Sequence, residues 1–337
     1  MPKLDIAGLK KRIDSLRGVK TLVVGDLAID EMMYGVASRI SREAPVLILK
    51  HTETKVILGG GANAIHNAAT LSDEQCGAIG VYGDDYHAPI LLDALKKANI
   101  DTQYMVQDKT RPTTTKTRIS GSSTQSVTQQ IVRIDRELND PVSKETEEKV
   151  ISQIKKAVPK FDAVILSDYG IGMMTDGIIK ATIDTAREHG IVVAVDAQSD
   201  MRRFKNATVL TPNQPDAEKA VGYKIVDDIT LNQAGKDLLA QTNADMILIT
   251  RGSFGMMLFL KNGETHKIPA FNKTDVFDVT GAGDTVVATF TAALAAGARP
   301  EEAMILGNLA ASIVIRHFGC ATTSREELKE QIEEIEF

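Results

Sequence analysis

Tryptophan is absent from this chain, and cysteine occurs only at Cys76 and Cys320. With neither a Cys-x-x-Cys pair nor a Cys/His cluster at ligand spacing, a disulfide framework and a structural zinc are both unexpected. No run of about 18 apolar residues occurs, so no transmembrane helix is expected. The first 20 residues mix charged and apolar positions, lack the apolar core of a signal peptide and read as an amphipathic helix. These absences point to the cytoplasm. An excess of positive charge is missing too: 39 Lys and Arg stand against 45 Asp and Glu, a net charge of -6. That balance argues against a chain built to coat nucleic acid or an anionic membrane, so neither is expected as a partner. What remains is 43% hydrophobic and 25% charged over 337 residues, the composition of a folded, soluble globular protein with room for a sizeable core.

Short apolar runs at residues 22–25, 163–166, 191–195, 208–210 and 246–249 read as buried strands. Helical patterns lie between them at 62–71, 88–98, 145–158, 176–189, 214–221 and 231–239, and the C-terminal part turns helical at 281–296, 300–315 and 324–335. The alternation predicts an α/β fold, a three-layer sandwich with a mainly parallel central sheet and ligands beyond the carboxyl ends of its strands. Residues 46–58 and 104–133 are β-rich without intervening helices. They are read as a small β-sheet lid, its strands falling within 28–58 and 102–135. The alternative is an ordinary surface hairpin. No internal repeat or long linker divides the chain, so one domain over 1–337 is expected.

The strongest local signal is Asp278-Val279-Thr280-Gly281-Ala282-Gly283-Asp284-Thr285, running into the small and apolar Val286, Val287 and Ala288. Small residues let a phosphate approach the backbone, and the first N–H groups of a helix have no intrahelical partner. Gly281, Ala282 and Gly283 therefore predict an anion hole. Asp284, in the first turn, would stand where it could take a proton from a hydroxyl attacking the bound phosphorus. A tight turn with an acid complementing the helix dipole would suffice for a lone Gly-x-Gly-Asp. Here the match spans the whole block.

That block resembles the signature of the ribokinase (PfkB) family of carbohydrate kinases. Gly59-Gly60-Gly61-Ala62-Asn63 resembles the family's N-terminal glycine-rich element, which holds sugar hydroxyls, and Asp30 matches its hydroxyl acceptor. Asn213-Gln214-Pro215-Asp216 resembles the N-x-x-E element near magnesium and the ATP phosphates. Thr250-Arg251-Gly252-Ser253-Phe254-Gly255 resembles the nucleotide loop, and Asn308 a position near the adenine. The resemblance covers roughly residues 20 to 325. It implies a ribokinase-like fold, an ATP-dependent sugar kinase with Asp284 as base, Mg²⁺ held partly through Asp216, a homodimer formed through the lid, and, around Asp278 and Thr280, a monovalent cation such as K⁺.

Within the family, the sequence looks most similar to the kinases of D-glycero-β-D-manno-heptose 7-phosphate, which phosphorylate the anomeric hydroxyl. The similar stretches are 38–46, 115–118 and 131–135. Arg39, Arg42, Lys116, Arg118 and Arg133 become candidate contacts for a sugar phosphate, since Arg forks onto phosphate oxygens and Lys supplies a point charge. Each could equally be a solvated strand-face charge. Asp168 joins the substrate set by the same resemblance. The pattern departs where Ile171 and Gln198 stand in place of two lysines and Asp216 in place of a glutamate, with Glu218 nearby as compensation. The stretch 120–127 is longer than expected between two lid strands. Ending at Phe337, the chain is not expected to add adenylylation through a fused nucleotidyltransferase domain. Two alternatives stay open: a kinase of another sugar or nucleoside, and a catalytically silent sugar- or nucleotide-binding regulator. A dinucleotide oxidoreductase would need Gly-x-Gly-x-x-Gly after the first strand, whereas Gly25 is followed by Asp26-Leu27-Ala28.

Overall fold

The structure, a computed structural model, describes residues 5–123, 126–271 and 276–334. Its strands are β1 (Thr21–Gly25), β2 (Leu27–Ile40), β3 (Leu47–Gly60), β4 (Cys76–Ile79), β5 (Val81–Tyr82), β6 (Ile100–Asp101), β7 (Val106–Gln107), β8 (Thr115–Ser123), β9 (Ser126–Arg136), β10 (Ala163–Asp168), β11 (Val192–Ala197), β12 (Val209–Leu210), β13 (Met246–Thr250), β14 (Met256–Leu260) and β15 (Thr265–Ile268). The helices are α1 (Ile6–Ser15), α2 (Gly61–Ser72), α3 (His87–Lys97), α4 (Lys144–Ala157), α5 (Asp176–Glu188), α6 (Gln214–Val221), α7 (Asp228–Thr242), α8 (Ala282–Ala295), α9 (Pro300–Val314) and α10 (Arg325–Gln331).

Nine strands form the main sheet in the order β15-β14-β13-β12-β11-β10-β1-β4-β6. All neighbours are parallel except β13-β14 and β14-β15, which close one edge as an antiparallel meander. Side chains alternate between two cores because successive residues of a strand point to opposite faces. Val23, Ile165 and Leu248 pack with α2, α8 and α9 on one side, while Leu22, Val24, Val164, Leu166, Ile247 and Ile249 pack with α4, α5 and α7 on the other. Helix α8 is buried along nearly its whole length, which is why its sequence is apolar or small on every side. The predicted three-layer arrangement is therefore observed.

Strand order reverses between β1 and β10: from β1 the chain builds outward through β4 and β6, then returns to the other flank for β10 to β13. A crevice outside the carboxyl ends of the strands belongs at such a point. Here it is flanked by Gly25-Asp26 and Asp168-Tyr169.

The second sheet, β3-β2-β8-β9, is the lid. Strand β2 pairs antiparallel with β3 and parallel with β8, and β8 runs back along β9. The lid begins later than expected on its second arm, at Thr115. Residues 106–107 instead form β7, which pairs with β5 beside the main sheet. Within the stretch 120–127, residues 124 and 125 lie outside the described residues. Several short strands, β4, β6, β14 and β15 among them, have no counterpart in the sequence reading because runs of two to five residues carry almost no periodicity.

Candidate active site

Asp284 sits in the first turn of α8 and is 5% exposed. Its carboxylate accepts one hydrogen bond from Asn63 Nδ2 to Oδ2 (2.7 Å) and another from the Tyr169 hydroxyl to Oδ1 (2.9 Å). Burial pushes its pKa up to about 6; the two hydrogen bonds oppose the rise and the nearby Asp30 adds to it. A carboxylate in that range suits a base working near neutral pH. Gly281, at φ +78°, caps α8 without a side-chain hydrogen bond, leaving the first-turn N–H groups with no capping side chain to satisfy them. A Cβ on Gly281 would lie 2.6 Å from Asn63 Nδ2, so the glycine is required for contact as well as for backbone conformation.

Residues expected on the sugar side gather around this carboxylate. Gly60 (φ +56°) turns β3 into α2, and a side chain there would meet the Asp26 carbonyl oxygen at 2.8 Å. Asn63 follows in the first turn of α2 and is fully buried. Asn67, one turn on, donates to the Asn63 carbonyl at 3.0 Å, and its Oδ1 accepts from Thr285 Oγ1 at 3.0 Å. This polar network ties α2 to α8. Asp30, at the foot of the lid, lies against Gly59 and pairs with Arg118 at 3.2 Å. Burial raises its pKa, with Arg118, Lys116 and Arg133 opposing.

The proposed phosphate contacts divide. Lys116, Arg118 and Arg133 share one patch of the lid with Asp30, but each faces a carboxylate: Lys116 pairs with Glu137 (2.8 Å), Arg133 with Asp135 (2.8 Å) and Arg118 with Asp30. Arg39, at the other end of β2 and roughly 30 Å from Asp30 along the strand, and Arg42, just beyond that strand, are both exposed. Asp168 is not gathered with the group around Asp284. It accepts from the Gly170 N–H (2.9 Å) and from Ser199 Oγ, with Arg203 at 3.6 Å, in a neighbouring cleft of about 420 Å³.

The residues expected on the nucleotide side converge more fully. A largely apolar cavity of about 350 Å³ is lined by Thr250, Gly252, Gly255, Ala282, Gly283 and Asn308. Asn308 is anchored by donating to the Pro269 carbonyl at 2.7 Å. Asn213 pairs through its backbone with Thr250 and caps α6, accepting from the Asp216 N–H at 2.8 Å. Asp216 lines a further cleft of about 340 Å³ with Gln198 and Lys219. Glu218 is committed elsewhere, to Lys224, Gln214 and the Ile225 N–H. Asp278 accepts from the N–H groups of Thr280 and Gly319, both at 2.9 Å, and so closes the loop ahead of α8.

Three participants were not singled out from sequence: Tyr169, Asp26 and Asp196. Asp26 is 4% exposed and accepts from the N–H groups of Tyr169, Ile171 and Met173. Asp196 feels the charges of both Asp284 and Asp216, and burial together with those two charges pushes its pKa up to about 8. Their signal was position alone, at or just beyond the carboxyl ends of β1, β10 and β11.

The architecture is that of ribokinase-like enzymes. Ribokinase from Arabidopsis thaliana, solved with ribose and ATP, superposes with a TM-score of 0.71 at 19% identity, over 94% of this chain and 99% of that one. Phosphofructokinase-2 from Escherichia coli, solved with potassium, gives 0.73 at 17% identity, over 94% and 98%. The model of the pfkB family carbohydrate kinases matches residues 20–327, and the chain belongs to that family. The bifunctional protein HldE of Geobacter metallireducens is 40% identical over 324 residues, and that of Geobacter sulfurreducens 37% identical over the same length. The alignment spans 95% of this chain but 65% of the length of those relatives.

Proposed function

We propose that this chain transfers the γ-phosphoryl group of ATP to a hydroxyl of a sugar or sugar phosphate, most specifically the anomeric hydroxyl of D-glycero-β-D-manno-heptose 7-phosphate. The observation that carries the reading is Asp284, a buried carboxylate with a raised pKa beside an uncapped helix start. The acceptor hydroxyl attacks the γ-phosphorus and loses its proton to Asp284. The bond from the γ-phosphorus to the β,γ-bridging oxygen breaks, and ADP leaves with the electron pair. The N–H groups at Gly281 to Gly283 would stabilise the charge that develops on the equatorial oxygens. Thr250, Gly252, Gly255 and Asn308 would hold the adenine nucleoside, with Asn213 at the phosphate end.

Burial raises the pKa of both Asp196 and Asp216, Asp216 adds to the rise at Asp196 and Lys219 opposes it at Asp216; two carboxylates so placed would suit a hard divalent ion. Mg²⁺ bound there would neutralise charge on the ATP phosphates. A monovalent cation against the Asp278–Thr280 loop is part of the same reading.

The heptose phosphate assignment rests on the lid stretches and on the cluster of Lys116, Arg118 and Arg133 near Asp30. A second reading, another acceptor on the same fold, is favoured by Ile171, which is buried rather than presenting a charge, and by Gln198. A coupled ADP-release assay with heptose 7-phosphate, free hexoses, pentoses and nucleosides separates the two. Turnover with heptose 7-phosphate alone supports the first reading. Turnover only with another acceptor supports the second, and silence across the panel counts against both.

We also propose a homodimer through the lid. Val132 and Ile134 are exposed on β9, on the face opposite Arg133.

A further inference from the structure

We infer that Tyr169 is a positioning residue for phosphoryl transfer: its hydroxyl, donated to Asp284 Oδ1, fixes the plane of the base carboxylate and holds negative charge on it. The inference rests on Asp284 being the base. Asn63 alone would leave the carboxylate free to turn about its own bonds; a second donor on the other oxygen removes that freedom. The phenol stays protonated and able to donate, because burial and the Asp284 charge both push its pKa upward.

The surroundings hold the ring in place. The Tyr169 N–H donates to Asp26 Oδ2 at 2.9 Å, and Ile171 and Met173 donate to the same carboxylate at 3.2 and 3.4 Å. The ring carbons lie 3.6 Å from where a Gly60 Cβ would stand, so the glycine-rich turn also seats the tyrosine. Asp26 at the end of β1 and Tyr169 just past β10 meet across the point where strand order reverses. The other titratable groups facing Asp284 are Asp30, Asp196 and Cys320, whose thiol is pushed up to about 12. None of them donates a hydrogen bond to it among the described residues.

The test is the pH dependence of kcat for the wild type and Tyr169→Phe, measured by ADP release with the acceptor found active. Loss of the donor should raise the acid limb above its wild-type position and lower kcat at neutral pH by about tenfold or more, the scale of a hydrogen bond to a charged group. KM for either substrate should change little. A uniform fall in kcat with an unmoved limb would mark Tyr169 as merely structural and overturn the inference, as would an unchanged kcat. Should Tyr169→Phe fail to fold, 3-fluorotyrosine can be incorporated, keeping the ring and strengthening the donor. The limb should then move down, and an unmoved limb overturns the inference. If the wild type has no acid limb, or Asp284→Asn turns over normally, the reading of Asp284 as base fails and takes this inference with it. A normal wild-type limb shared by the variant removes the inference alone.

Discussion

At the scale of single residues, Asp284 is held against its own stability. A carboxyl whose folded pKa is about 6, against an ordinary 3.8, binds its proton more tightly when folded. Its contribution is therefore most favourable at low pH and declines as pH rises from about 4 to 6, leaving an ionised group that costs on the order of 2–3 kcal/mol at neutral pH. Asp284→Asn keeps the shape and removes the charge. It should lower kcat by at least about a hundredfold while ATP affinity changes little. Its melting temperature at pH 7.5 should equal or exceed that of the wild type. A clear drop in melting temperature would mean that the hydrogen bonds from Asn63 and Tyr169 outweigh burial.

At the scale of elements, two turns decide how the proposed base, Asp284, is presented. Gly281→Ala places a side chain at positive φ, costing about 1–2 kcal/mol, and drives it into Asn63. Turnover should fall more than the small loss in melting temperature explains. Gly283→Ala is the comparison: a Cβ there meets nothing within 4 Å, so the fold should be unaffected and the change should register in KM for ATP as the cavity narrows. The other turn follows β10. Asp26→Ala would orphan the N–H groups of Tyr169, Ile171 and Met173 and should destabilise by about 1–3 kcal/mol, read from denaturant midpoints. It should also lower kcat by moving Tyr169; normal turnover would show that the loop holds its shape unaided.

At the scale of the molecule, the lid leaves apolar side chains open on its outer face. If a second copy covers them, light scattering at micromolar concentration should report a dimer, and Val132→Asp with Ile134→Asp should convert it to a monomer. A wild-type monomer would refute the proposed assembly. Among the described residues, no helix is long and apolar enough to cross a membrane.

The sequence by itself determined the alternation of strands and helices, the uniformly apolar α8 and the glycine-flanked start of that helix. Each is written in contiguous residues, where spacing alone sets hydrogen bonding and burial. The walls of the apolar cavity beside α8 were legible for the same reason, as many of them come from short stretches at 250–255, 282–283 and 308. The lid was legible as β-rich sequence, but its register and its true start at Thr115 were not, because pairing between strands is a long-range choice. Only the tertiary structure brought Tyr169 to Asp284 across 115 positions and Asn63 across 221, and tied Asp26 to the loop after β10. It also took Asp168 away into its own cleft with Arg203. The Asp26 contacts depend on β1 and β10 being neighbours at the point where strand order reverses, and the others on which helices and loops pack together; local propensity carries no information about which elements lie side by side.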